Sequence, residues 1–156
     1  TEEIRKRIGV NPIVCTAIIN HLENSGELII KGPSIHISGH QAMPTKEQRE
    51  LMGNYAKSLE LNPYSPPTTE LLEGDLLNLL EEEGEIVRVN ESISFNSIAY
   101  KTMLNKITEH LRENGKITIS EVRDLLKTSR KYALAFMEHL DQIRVTRRVG
   151  DDRILR

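Results

Sequence analysis

The 156-residue chain has no tryptophan, two phenylalanines, four tyrosines and a single cysteine. With aromatics this scarce, the stacking platforms that hold successive bases of a single strand are not expected. A lone thiol, Cys15, excludes an internal disulfide. It fits a reducing compartment, so a cytoplasmic location is expected. No apolar run approaches the ~18 residues of a membrane helix, and no signal-peptide pattern is present. Also missing are a G-x-x-x-x-G-K phosphate loop, a Ser/His/Asp order and a pair of carboxylates in a plausible pocket. The chain is therefore not expected to be an enzyme. The histidines (His21, His36, His40, His110, His139) lack ligand spacing, and one cysteine cannot complete a zinc site with them, so no metal is expected.

What is present is an uneven charge. The formal net charge of −2 averages two unlike parts. From Tyr100 onward there are 13 Lys/Arg against 8 Asp/Glu, a balance of +5, whereas Thr1 to Ala99 holds 8 against 15, a balance of −7. Such asymmetry points to a polyanion at one end, the plainer alternative being two units that attract each other.

Three segments echo one another: L-E-N-S-G-E-L-I-I from Leu22, L-E-E-E-G-E-I-V-R from Leu80 and L-D-Q-I-R-V-T-R-R from Leu140, with leucines 58 and 60 residues apart. That spacing suits tandem small domains rather than a solenoid. Upstream, Cys15, Ile18, Ile19 and Leu22 match Ala133, Phe136, Met137 and Leu140, a buried helical stripe. Each repeat closes with a short hairpin, the first around Lys31-Gly32-Pro33-Ser34, the second from Ile86–Val89 to Ile93–Phe95, the third from Val145–Val149 through Gly150-Asp151 to Ile154.

The third repeat reads as helix, strand, helix, turn, helix, hairpin. Tyr100 to Leu111 gives a first helix ended by Asn114-Gly115, Ile117 and Ile119 alternate like a strand, Ser120 is placed to cap a second helix, and Thr128-Ser129 opens a third. The fold expected is mainly α with small antiparallel β wings, as tandem winged helix-turn-helix domains. They run 1–42 (partial, first helix absent), 43–98 and 99–156. In the second, Thr45 to Leu61 is a helix followed by the elbow Pro63-Tyr64-Ser65-Pro66-Pro67. Leu71 to Leu80 then spans 9 residues where the other repeats use 18. A break with about nine residues missing is expected near Gly74-Asp75. The chain reads as a piece of a longer protein. Short linkers, not a shared core, are expected between the units.

The candidate site lies in the last 29 residues. Ser129, Arg130 and Lys131 open a helix where free N–H groups and the dipole favour an anion. Arg144, Arg147, Arg148 and Arg153 crowd the hairpin beyond what protection of an edge strand requires. Arg147 shares a strand face with Val145 and Val149, which leaves packing as its alternative role. Tyr132 reads as a packing residue, Arg123-Asp124 as a local ion pair, and Glu81-Glu82-Glu83 as a solvated helix end.

V-R-D-L-L-K-T-S-R-K-Y-A-L, residues 122–134, followed by V-T-R-R-V-G-D, residues 145–151, resembles the last winged helix of the bacterial selenocysteine-specific elongation factors, SelB. The second and first repeats resemble the preceding winged helices more loosely. In that family four winged helices follow a GTPase body, and the last one grips the SECIS stem-loop of an mRNA. The resemblance implies RNA contacts from Ser129, Arg130, Lys131, Arg147, Arg148 and the tip Gly150-Asp151. It further implies selenocysteine insertion at UGA as the process served, with the ribosome as a further partner. GTP belongs to the GTPase body, whose signatures this chain lacks, so no cofactor is expected here; nor is a membrane, and the piece is expected to be monomeric. Arg144 departs from the pattern, because Gly26 and Gly84 hold the matching positions. If φ is positive there, a local rebuilding of the helix exit is expected. Two other readings stand beside the RNA clamp: a DNA-binding winged-helix regulator and a protein-interaction module. Against the former, the third helix offers Lys131, Leu134, Ala135, Glu138 and His139, a poor set for reading a major groove.

Overall fold

A computed structural model describes residues 2–31, 34–38, 44–68 and 72–156. The chain divides into two compact units, Thr1–Met43 and Pro44–Arg156. In the first, α1 (Glu2–Ile8) and α2 (Pro12–Asn24) lead into the antiparallel hairpin β1 (Leu28–Lys31) and β2 (Ser34–Ile37). The Asn11 side chain caps α2 by accepting from the amide of Ile13, and Pro12 follows at the position where its missing N–H costs nothing. Only Cys15 and Ile19 of α2 are buried, while Ile13, Val14 and Ile18 are exposed. The hairpin tip Gly32-Pro33 and Leu71 of the second repeat lie outside the described residues.

The second unit holds the other two repeats. Thr45 and Gln48 form a reciprocal capping box that starts α3 (Lys46–Leu61). After the elbow, α4 (Gly74–Glu82) runs into β3 (Ile86–Asn90) and β4 (Ile93–Asn96), an antiparallel ribbon. Gly74 and Asp75, beside which about nine residues were expected to be missing, form the first turn of α4. Among the described residues the second repeat has two helices and the third has three, because a single helix leads into the second ribbon.

The third repeat follows as α5 (Ser97–Asn114), β5 (Ile117–Thr118), α6 (Ile119–Leu126), α7 (Arg130–Gln142), β6 (Thr146–Val149) and β7 (Asp152–Leu155). Its sheet has the order β5-β7-β6, all antiparallel. This is the expected winged helix-turn-helix. Two local readings change. Ile119 opens α6 instead of extending the strand, and Thr118, boxed with Glu121, is the cap in place of Ser120. The hydrogen bonds from the amide and hydroxyl of Thr118 hold the Glu121 carboxyl below the usual range.

The second and third repeats are not joined by a linker. Asn96 ends β4 and caps α5, accepting from the amides of Ile98 and Ala99. Ser97 donates its amide to Glu85 and its hydroxyl to Gly84, fixing the helix start to the preceding wing. Met52, Tyr55, Leu59, Leu76, Leu77, Leu80 and Ile86 form one core. Val89, Ile93 and Phe95 of the ribbon belong to the other, with Tyr100, Met103, Ile107, Phe136 and Leu140. Phe95 meets Phe136 edge-on at 6.0 Å between centroids, and Tyr100 meets the same ring at 5.4 Å. The second wing thus serves both cores, which corrects the expectation of short linkers without a shared core. The physical reason is how its side chains divide: Val89, Ile93 and Phe95 enter the third repeat's core, while Ile86 enters the second's.

Candidate nucleic-acid interface

The three repeats leave their last helix by the same geometry. Gly26, Gly84 and Arg144 have φ of 77°, 76° and 63°. In each case the next amide bonds back to the leucine carbonyl of the last turn: Glu27 to Leu22, Glu85 to Leu80 and Val145 to Leu140. The exit is therefore conserved in form among the repeats and is not rebuilt around Arg144. An arginine simply occupies a left-handed position. This geometry sends β6 back along α7 and sets the wing beside it.

A buried polar anchor then fixes the wing. Arg153 on β7 is 3 % exposed and its Nε lies 2.7 Å from Asp141 Oδ2 on α7, while the Thr146 hydroxyl donates to Asp141 Oδ1 at 2.7 Å. Of the four hairpin arginines, Arg153 is thus structural. Its place on the inner face of β7, bound to the Asp141 carboxylate that Thr146 also bonds, was missed in the sequence; the alternation of β7 and the aspartate in the last turn of α7 were the available signals.

Between the start of α6, the outer face of α7 and the wing lies an open groove of about 570 Å³. Leu134 and Ile119 line it, Arg130 and Arg148 bring positive charge, and Glu138, Asp151, Thr118 and Ser120 add polar groups. Arg130 makes no hydrogen bond or ion pair among the described residues. Arg148 turns Nε to the carbonyl of Gly150 at 2.8 Å and keeps a loose 3.9 Å pairing with Asp151. Gly150 turns the tip with φ of 63°. Arg147, next along the strand, is exposed and unpaired among the described residues and does not line the groove. Ser129 sits at the N-cap of α7, yet its side chain makes no capping bond. The first amides of α7 are consequently not satisfied by the cap, and the positive end of the helix faces outward.

Lys131 is placed differently. Its ammonium lies 3.2 Å from Thr68 Oγ1 of the elbow and 5.4 Å from the centre of the Tyr132 ring. Just before β5, the Lys116 ammonium pKa is pushed up by Asp152 through a 2.9 Å hydrogen bond. Among the described residues the second repeat offers no comparable cation surface. Asp75 stands in the first turn of α4, and Arg88 is held by Asn78 and Glu81 at 2.7 Å each. Glu83 pairs with Arg49 at 2.8 Å, so the acidic helix end is partly used in ion pairs.

Residues 109–155 match the family model for the winged helix of elongation factor SelB. A selenocysteine-specific elongation factor of Desulfomicrobium baculatum is 25 % identical over 158 residues, which is 95 % of this chain and 25 % of that protein. Its counterpart in Haemophilus influenzae is 41 % identical over 58 residues, covering 37 % of this chain and 9 % of that one. The chain thus spans about a quarter or less of these relatives. Among solved structures, the mRNA-binding domain of SelB from E. coli in complex with SECIS RNA superposes with a TM-score of 0.57 at 23 % identity, over 72 % of this chain and 99 % of that one. A bacterial selenocysteine-specific elongation factor, EF-Sec, gives 0.56 at 17 %, over all of this chain and 26 % of that one. These two establish the fold, and the resemblance to the C-terminal winged-helix region of SelB holds.

Proposed function

We propose that this chain, similar throughout to the C-terminal winged helices of selenocysteine-specific elongation factors, is an mRNA-binding module that grips a SECIS-type stem-loop. It would thereby tether a cytoplasmic translation factor to its message for selenocysteine insertion at UGA. The observation that carries the reading is the groove of the third repeat. There an uncapped helix start and the unpaired Arg130 of α7 stand beside Arg148 and the Gly150-Asp151 tip of the wing, with Arg147 exposed on the other face of β6. Helix amides and arginines suit phosphate oxygens. The A-form major groove is too narrow to be read by a helix, so a shallow groove meeting backbone and splayed loop bases is the form such recognition takes. The outer face of α7, with Leu134 and Glu138, suits duplex DNA poorly. GTP binding and ribosome contact would belong to the whole factor.

A salt series of gel shifts tests the proposal, using an RNA stem-loop and duplex DNA of equal charge. Three phosphate contacts from Arg130, Arg147 and Arg148 would give a log–log salt slope of about −2, at roughly −0.7 per contact. The stem-loop should bind at least tenfold more tightly than the duplex, as base or shape readout adds to the shared electrostatic term. Equal affinity for both, or undiminished RNA binding by the triple alanine variant with its fold intact, would place the function elsewhere.

A further inference from the structure

The elbow of the second repeat, residues 62–68, is latched onto the start of α7. The Thr128 hydroxyl donates to the carbonyl of Tyr64 and lies 3.2 Å from the Ser65 hydroxyl. The Tyr132 hydroxyl donates to the carbonyl of Pro66 at 2.8 Å, and the Lys131 ammonium donates to Thr68 Oγ1 at 3.2 Å. Pro66 is buried, and Tyr64 packs on the core of the third repeat with the Lys106 ammonium 5.4 Å from its ring centre. Among the described residues, the polar partners of Tyr64, Ser65, Pro66 and Thr68 outside the elbow are Thr128, Tyr132 and Lys131, which flank Ser129 and Arg130. Prolines in the elbow fix its backbone, so four polar ties to a stiff segment cost little entropy to hold.

We infer that the elbow of the second repeat is a positioning element for the RNA-facing start of α7, and that Lys131 and Tyr132 act as struts to it, not as ligands of the nucleic acid. This rests on the RNA reading above and deepens it: the acidic second repeat contributes to RNA affinity without touching RNA. Ser129 supplies no cap, so the first turn of α7 lacks the local restraint that Thr45, Asn96 and Thr118 give to their helices. The elbow replaces that restraint from 63 to 66 residues away while leaving the first amides unblocked. A side-chain cap would hold the turn but occupy the site; an external strut holds it and keeps the site open.

The test uses the full chain and one RNA stem-loop across a salt series. Tyr132→Phe removes a single hydroxyl, Thr68→Val removes the acceptor for Lys131, and Lys131→Met removes the charge. Each should weaken binding about three- to tenfold, the range for residues that act on a site without touching its ligand, with the salt slope unchanged and the thermal midpoint nearly so. Arg130→Met, by contrast, should lower the slope by roughly 0.7. A slope lowered as much by Lys131→Met would make Lys131 a phosphate ligand and overturn its role as a strut. Unchanged affinity in Tyr132→Phe and Thr68→Val, with Arg130→Met still costly, would overturn the latch while sparing the RNA site. If Arg130→Met also leaves binding intact, the site itself is misplaced and the latch falls with it.

Discussion

Arg144 holds a conformation that glycine holds in the other two repeats, with φ of 63° against 77° and 76°. A side chain there meets the following carbonyl at a cost of roughly 1–2 kcal/mol, whereas glycine costs about 0.5–1 kcal/mol of extra chain entropy on folding. Arg144→Gly should therefore stabilise the second unit by on the order of 0.5–1 kcal/mol, while Arg144→Ala, which keeps the clash, should not. Urea midpoints of the three proteins decide the matter; an equal rise in both variants would trace the gain to lost charge instead of backbone strain. At this scale the sequence was informative where a residue acts on its neighbours. Gly26 and Gly84 announced the left-handed exit, and Asn114-Gly115 announced the end of α5, whose Gly115 has φ of 78°. It was silent on Arg153 and Lys131, whose partners Asp141 and Thr68 lie 12 and 63 residues away, because a charged side chain looks the same in a string whether it is solvated or buried.

At the scale of elements, α5 and α7 are pinned together by a pair with a titratable member. His139 of α7 lies 3.0 Å from the Tyr100 hydroxyl of α5, with rings packed edge-on. Burial lowers the His139 pKa, with the Glu81 carboxylate opposing the shift, and burial raises that of Tyr100. A histidine whose folded pKa lies below its unfolded one binds fewer protons when folded, so stability rises with pH between the two values and is level above them. Stability should accordingly fall as pH drops below about 6.5, the unfolded value, until the folded pKa is passed. His139→Gln should flatten that part of the profile, as read by denaturant midpoints between pH 5 and 8; an unaltered profile would assign the dependence to carboxylates. Helix periodicity had made the stripe of α7 and the helix from Thr45 to Leu61 legible, whereas the capping boxes at Thr45 and Thr118 were not read. What periodicity could not tell was which stripe faces which.

For the molecule as a whole, the repeats misled in one respect. Sequence echoes imply beads on a string, yet the second and third repeats form one unit because Val89, Ile93 and Phe95 face the third core. The signal was slight: V-R-V-N and I-S-F-N alternate as in any half-buried hairpin, and only Ile86 beside Val87 breaks the pattern. Removing the ribbon uncovers large side chains worth about 1.5–3 kcal/mol each on burial. A piece spanning 96–156, which retains the α5 cap, should therefore unfold at lower urea than one spanning 44–156, and the longer piece should unfold in a single transition. Equal midpoints for the two would mean that the third repeat does not depend on the second wing.

Asn96 belongs to two elements at once, closing a strand and capping the helix that follows. The junction consequently has no slack, and its length is quantised. One added residue would turn α5 by about 100° and advance it about 1.5 Å, carrying Tyr100, Met103 and Ile107 off the face they share. The turn at Glu91-Ser92, exposed between β3 and β4, is where extra length can be absorbed. Drift in the length of this chain is thus channelled into the wing tip, and the phase between the two repeats stays locked.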